Sequence, residues 1–203
     1  AAEGLVCISE KENQYSIVEV NSETDFVAKN KEFINFVEEI SNVALQNHGK
    51  MKDILIANMK NKKNVQDNLV SLISKIGEKI TLRRSDYLTS GKSVNFSYMH
   101  SEIKKNVGKI GVLVSIETTK KKDEIFKFGK HLAMQVAASS PLAIDKDDLD
   151  KNILDKEKEI ITEELKSTGK DNKIIDKIAS GKLNKFISDN TLLNQEWIMD
   201  PKK

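Results

Sequence analysis

Residues 15–30 read YSIVEVNSETDFVAKN, and this stretch predicts a strand, a corner and the start of a helix. Apolar and polar residues alternate from Tyr15 to Val20, which is typical of a half-buried strand. A helical pattern begins at Lys31. Phe26 therefore lies where the chain turns between two elements, and such corners tend to be exposed. An exposed Phe beside Asp25 would offer a partner an apolar wedge next to a negative charge.

A purely structural interpretation of the same two residues stays open at this point. Asp25 could cap the following helix by accepting a hydrogen bond from its free N–H groups. Phe26 could be a hydrophobic staple that packs back onto that helix. The residues alone favour this structural interpretation over a binding corner.

The sequence around the corner predicts a hairpin and several helices. Residues 1–20 are predicted to form a β-hairpin whose turn covers residues 11–14. After the corner, apolar residues recur at spacings of three and four, which places them on one face of a helix: Phe33, Phe36, Val37, Ile40 and Ala44. A short helix is expected within residues 47–64, and a further helical stripe over residues 69–76 ends at Gly77.

The middle of the chain predicts more strands and one helix. Residues 80–84 and 94–98 alternate as strands do. Residues 110–116 form a nearly continuous apolar run, which predicts a central strand. A helical stripe over residues 125–137 is expected to stop before Pro141, because the residue preceding a proline disfavours the helical conformation.

Residues 148–194 predict an antiparallel αα-hairpin. Two sparse apolar stripes lie among many Lys and Glu residues, and a turn cluster covers residues 167–172. A short connection between two helices makes them antiparallel. The narrow stripe and the charged outer faces lead us to expect a coiled coil that projects from the globular body.

These patterns predict an α+β fold with two small subdomains. Each subdomain is expected to have an antiparallel sheet and packed helices, because the order of strands and helices occurs twice. The predicted boundaries are 1–84 for the first subdomain, 85–147 continued by 195–203 for the second, and 148–194 for the inserted hairpin.

Composition indicates a globular chain without a nucleic-acid or membrane partner. The 203 residues include 38% hydrophobic and 32% charged residues. Lys and Arg total 33 against 31 Asp and Glu, and the charges are interleaved, so no concentrated basic field is available for phosphates. No stretch reaches the ~20 apolar residues of a membrane span. The single Cys7 excludes an intrachain disulfide and fits a reducing compartment, so we expect a cytoplasmic protein.

Candidate catalytic motifs fail on spacing. Residues 91–93 read GKS, but the glycine that a phosphate-binding loop needs five residues earlier is Asp86. Neither His48, His100 nor His131 has metal-ligand spacing to another His or to Cys7. Cys7 lies in a strand pattern and is interpreted as a small buried residue. We therefore expect no enzyme, no metal and no cofactor.

The string TDFVAK at residues 24–29 resembles the signature of the bacterial elongation factor Ts family. Further segments are similar to that family in the same order and extend the resemblance over nearly the whole chain: AAEGLV at 1–6, EVN at 19–21, KIGE at 75–78, GKIGVLV at 108–114 and HLAMQVAAS at 131–139.

The resemblance implies a guanine-nucleotide exchange factor for translation elongation factor Tu. It implies that Phe26 inserts between helices of the partner's nucleotide-binding domain, and that Asp25 helps to disturb the Mg²⁺ side of that site. The alternative is a non-catalytic adaptor that binds a protein or the ribosome, with recognition carried by the αα-hairpin. Self-association through that hairpin is also left open.

The residues that the resemblance assigns to partner binding lie in three segments. They are Thr24, Asp25, Phe26, Val27, Ile76, Gly77 and His100. Gly77 is also the expected left-handed cap of a helix, and His100 is also explained as an exposed loop residue. The family carries a helical domain before the position of Ala1 and often a helical segment beyond Pro201. Because the sequence does not begin with Met, we expect this chain to be a fragment or a processed form.

Overall fold

The computed structural model describes residues 3–89, 91–166 and 172–200, without the side chains of residues 172 and 173. It has the predicted α+β fold, with two antiparallel sheets and helices packed on them. The chain divides into two compact units, residues 1–137 and 138–203. The division at 84 and 148 that the sequence suggests stays a prediction.

A four-stranded sheet forms the centre of the first unit. The predicted hairpin is confirmed as β1 (Glu3–Lys11) and β2 (Gln14–Ser22), which pair in register from Glu3 with Ser22 to Lys11 with Gln14. Strand β3 (Thr81–Leu88) adds to β2, and the short β5 (Val107–Gly108) adds to β1, so the strand order is β3-β2-β1-β5.

Helices cover one face of this sheet and close the main core. After α1 (Asp25–Ala28), α2 (Lys31–Gln46) buries the whole predicted stripe against β1 and β2. The short α3 (Met51–Ile56) and α4 (Val65–Ile76) complete the layer. Gly77 has φ 81° and follows the last residue of α4, so the predicted left-handed helix end is confirmed.

The second sheet contains two strands with α5 packed against it. Strand β4 (Ser93–His100) pairs with β6 (Ile110–Glu117), and α5 (Lys122–Ser139) covers one face. Phe96 is fully buried there, and a Cβ atom at Gly129 of α5 would lie 2.3 Å from its ring. Only a glycine at position 129 lets the helix approach this closely.

The prediction that residues 110–116 form a central strand is wrong. Within the described residues, β6 pairs with β4 alone. Its apolar run has another cause, because Val112 and Val114 belong to the core under α5 and the opposite side meets the first sheet. A Cβ at Gly111 would lie 2.7 Å from Cγ1 of Val6 and 2.8 Å from Cδ1 of Ile17. Covering on both faces thus makes the strand apolar without placing it in the centre of a sheet.

The second unit contains the predicted αα-hairpin. Helices α6 (Lys151–Lys166) and α7 (Asn172–Asn190) bury Ile161, Leu165 and Ile175 between them. Nζ of Lys182 lies 2.7 Å from Oε2 of Glu164 at the edge of this contact. The predicted turn at 167–172 lies outside the described residues except for Asn172. No helix in the described ranges is both long enough and apolar enough to cross a membrane.

Candidate partner-binding site

The corner predicted at residues 24–29 contains the four-residue helix α1. Thr24 has extended backbone angles, and helical geometry begins at Asp25. Val27 and Ala28 are 4% and 3% exposed and belong to the main core. Phe26, between Asp25 and this buried pair, is 77% exposed. Burial of the last two residues of the helix therefore turns Phe26 outward.

The structural interpretation of the corner is wrong on both residues. Phe26 does not act as a staple, because its ring is largely exposed. Asp25 does not cap α2, because the side chain of Asn30 accepts hydrogen bonds from the N–H groups of Glu32 (2.8 Å) and Phe33 (3.3 Å). The corner thus leaves an apolar ring and a carboxylate in solvent without either of them serving the following helix.

Lys29 lies close to both exposed residues, Asp25 and Phe26. Its Nζ lies 2.7 Å from Oδ2 of Asp25 and 5.8 Å from the centre of the Phe26 ring. The hydrogen bond and charge of Lys29, helped by the charge of Lys109, lower the pKa of Asp25 below its ordinary value. Asp25 is therefore ionised at neutral pH. The spacing of four residues on a helix is the signal from which Lys29 could have been identified in the sequence.

Thr24 connects the corner to the end of α4. Its N–H and its Oγ1 both donate to the carboxylate of Glu78, at 3.1 and 2.8 Å. In return, the N–H of Lys79 donates to Oε2 of Glu23 at 3.0 Å. The segments 23–26 and 76–79 are thus adjacent. Sequence reasoning does not assign Glu78 or Glu23 to the site, because no local pattern pairs residues so far apart along the chain.

Ile76 and Gly77 lie at this junction. Ile76 is half-buried against the main core, and Gly77 is exposed, with no atom within 4 Å of where its Cβ would stand. The predicted cap is confirmed, since the glycine ends the helix, and this end of the helix is open to solvent. Contact of Ile76 and Gly77 with a partner stays a prediction.

His100, the last residue of β4, is hydrogen-bonded to Lys109. The N–H of Lys109 donates to the carbonyl of His100 at 3.2 Å. The Nζ of Lys109 donates to Oε2 of Glu3 at 2.8 Å and to the carbonyl of Gly4 at 3.2 Å. His100 is exposed, and its Nδ1 lies 3.1 Å from the hydroxyl of Tyr98. The charge of Lys109 also acts on Asp25, and sequence reasoning does not assign Lys109 to the predicted site.

The predicted site residues therefore do not all lie together in the structure. Thr24, Asp25, Phe26 and the Ile76–Gly77 pair share one junction, and the side chain of Val27 lies inside the core. His100 lies at the end of β4, where its carbonyl accepts a hydrogen bond from Lys109. The arrangement presents an apolar side chain, an ionised carboxylate and a helix end, which together suit contact with another macromolecule.

Two observations on the described residues concern metal binding and the single cysteine. No cluster of His, Cys, Asp or Glu there could hold a metal ion. Burial raises the pKa of the Cys7 thiol to about 11 from 9.0, and a protonated thiol is a poor nucleophile. Cys7 lies inside the sheet as the sequence predicts.

Comparisons with known proteins agree on one family. The family described as "Elongation factor TS" matches residues 23–203. The chain is similar to elongation factor Ts of Maricaulis maris (39% identical over 204 residues, covering 99% of this chain and 65% of the relative). It is equally similar to that of Rickettsia prowazekii (39% over 205 residues, 100% and 65%). Elongation factor Ts of Bartonella quintana is 38% identical over 202 residues, covering 99% and 66%.

The chain thus spans about two thirds of the length of these curated relatives. The family match begins at residue 23, so it includes the corner at residues 24–29, the end of α4 and the second sheet, and it leaves out β1 and β2 of the first sheet. By this match and this identity, the chain belongs to the elongation factor Ts family.

Proposed function

We propose that this chain is a translation elongation factor that acts as a guanine-nucleotide exchange factor, promoting GDP release from elongation factor Tu. The observation that carries the proposal is the exposed Phe26 on a helix whose other apolar residues are buried. Membership in the family supports it. The activity makes and breaks no covalent bond and needs no cofactor, and we expect it in the cytoplasm.

In this proposal the partner's nucleotide-binding domain receives the Phe26 ring. Burying a Phe side chain contributes ~1.5–3 kcal/mol, which corresponds to roughly tenfold to a hundredfold in affinity. Asp25 brings a negative charge to the Mg²⁺ side of the nucleotide site. Beside the Phe26 ring, the partner also contacts Ile76, Gly77 and His100. The ring is held in place by Thr24 and Val27. GDP leaves when its contacts with the metal and through its phosphates are disturbed.

Thermodynamic linkage fixes how the two ligands compete. A factor that weakens GDP binding is itself bound more weakly, by the same ratio, when GDP is present. A transient ternary complex therefore forms and loses either ligand. The exchange factor speeds the approach to equilibrium without changing the affinity of elongation factor Tu for GDP once the factor has left.

Release of a fluorescent GDP analogue from elongation factor Tu tests the proposal directly. Release is followed after adding excess unlabelled GDP, with and without this chain. We expect the rate to rise with the concentration of the chain until it saturates. An unchanged rate at every concentration would reject the exchange function.

A second candidate function is an adaptor that binds a protein or the ribosome through the αα-hairpin. The observation in its favour is that Ile160 of α6 and Ile174 of α7 are more than half exposed.

We propose that residues 148–194 form a separate module. A chain with this segment replaced by a short linker should keep the amide protection of residues 3–137. Loss of that protection would show that the module belongs to the core. If the shortened chain still promoted GDP release but no longer bound a protein or the ribosome, the adaptor function would be favoured.

A further inference from the structure

The hydrogen bonds between segments 23–26 and 76–79 place an acidic side chain behind the exposed corner. Glu78 is half-buried and directly follows Gly77. Its two carboxylate oxygens each accept one bond from Thr24, one from the N–H and one from Oγ1. Hydrogen bonds to an ionised acceptor are about twice as strong as neutral ones. Glu78 therefore holds both hydrogen-bond donors of Thr24, the residue that precedes α1.

Thr24 uses its hydroxyl in an unusual way for its position. A Thr that precedes a helix normally accepts a bond from an N–H group in the first turn. Thr24 makes no such bond, and its hydroxyl donates to Glu78 instead. The start of α1 is consequently fixed to the end of α4 and not to its own first turn.

The helix α1 depends on such outside contacts. It has four residues, and helices this short are not stable alone in water. Burial of Val27 and Ala28 fixes its far end, and the hydroxyl of Ser22 donates to the carbonyl of Thr24 at 3.0 Å. At the near end of α1, next to Phe26, Glu78 accepts the two bonds from Thr24, beside the bond from the N–H of Lys79 to Glu23.

We infer that Glu78 is a positioning residue, which holds α1 so that Phe26 and Asp25 face the partner before it binds. The inference rests on the proposed exchange function. Pre-ordering a binding element removes the cost of ordering it during binding. Glu78 thereby couples the two predicted contact segments, Thr24–Phe26 and Ile76–Gly77, into one rigid surface without contacting the partner itself.

Glu78→Ala, compared with Glu39→Ala, tests the inference. Glu39 is a matched control because it is also half-buried and accepts a backbone N–H, that of Lys60, in another part of the same unit. The saturating rate of GDP release and the concentration for half-saturation are measured for both variants, for Phe26→Ala and for the double variant Phe26→Ala/Glu78→Ala. Amide hydrogen exchange of residues 25–29 is measured on the free chains.

We expect Glu78→Ala to speed amide exchange of residues 25–29 and to lower the saturating rate, each by roughly tenfold. Glu39→Ala should leave both unchanged. Glu78→Gln, which keeps one acceptor oxygen, should fall between wild type and Glu78→Ala. In the Phe26→Ala background, the Glu78→Ala change should slow release by no more than the roughly threefold expected of Asp25, because the larger part of its effect acts through Phe26.

Three results would overturn the inference. The first is unchanged amide exchange of α1 in Glu78→Ala. The second is an equal loss of rate with and without Phe26, since it would place Glu78 in direct contact with the partner. The third is a fall in melting temperature that accounts for the whole loss of rate. If wild type does not speed GDP release, the proposed function fails instead, and amide exchange still decides whether Glu78 holds α1.

Discussion

Phe26 and Phe33 are close in the chain and have opposite environments. Phe26 is 77% exposed on α1, and Phe33 is fully buried on the inner face of α2. A long helix fixes which side faces the core, because Phe36, Val37 and Ile40 repeat the stripe of Phe33. A four-residue helix has no such repeat, so neighbouring contacts decide its orientation. The difference separates a residue that stabilises the fold from one that is available to a partner.

Phe33→Ala gives the largest effect expected on stability. Truncating a buried Phe costs ~3–5 kcal/mol of unfolding free energy through lost burial and the cavity left behind. Denaturant unfolding measures this change. At a temperature where the variant remains folded, its saturating rate of GDP release should be close to that of wild type. A loss of stability below about 1 kcal/mol would contradict the contrast between the two phenylalanines.

The buried Cys7 extends the comparison of buried and exposed residues to the pH dependence of stability. The unfolded thiol ionises near 9.0, whereas the buried thiol stays protonated until about 11. Stability is therefore unaffected by this group below pH 9 and falls as pH rises from 9 to 11, by about 1 kcal/mol at pH 10. The difference in unfolding free energy between wild type and Cys7→Ala should shrink from pH 8 to pH 10. A constant difference would mean that the thiol is not buried as described.

Asp25→Asn changes an exposed residue of the corner and has the smallest expected effect on exchange. The ion pair with Lys29 is exposed, so the melting temperature should not change. If the charge acts on the magnesium site of the partner, exchange should slow by roughly threefold or less, and more at high than at low Mg²⁺. Asp53→Asn, on the exposed side of α3, is the matched control. A ratio of mutant to wild-type rates near one across the Mg²⁺ titration would leave Phe26 as the only active member of the pair.

The sequence predicts most of the fold because the long elements carry clear periods. The hairpin, α2 and the end of α4 at Gly77 follow from alternation, stripes and a glycine. The apolar run at 110–116 wrongly predicts a central strand. A strand that is buried on both faces and a strand that is paired on both edges can carry the same apolar run, so the pattern does not distinguish them. The cap of α2 is Asn30 and not Asp25, because Asn30 stands next to the first helical residue.

The site is less predictable than the fold, because its supporting contacts are distant in sequence. The corner and the family resemblance suggest that Phe26 is exposed, whereas a four-residue helix has no periodicity that would predict it. Glu78 bonds to a residue 54 positions earlier, and Lys109 reaches Glu3 over 106 positions. Only the folded chain brings these groups together, so no local pattern in the sequence predicts these supporting contacts, and the partner-binding role of the predicted residues stays a prediction.

In the proposed function, Phe26 serves exchange and not folding. Phe26→Ala decides it when the saturating rate of GDP release from elongation factor Tu and the melting temperature are measured on the same preparation. We predict a rate lower by roughly tenfold to a hundredfold with a melting temperature close to that of wild type. An unchanged rate, or a loss of rate that follows a large fall in melting temperature, would contradict the account.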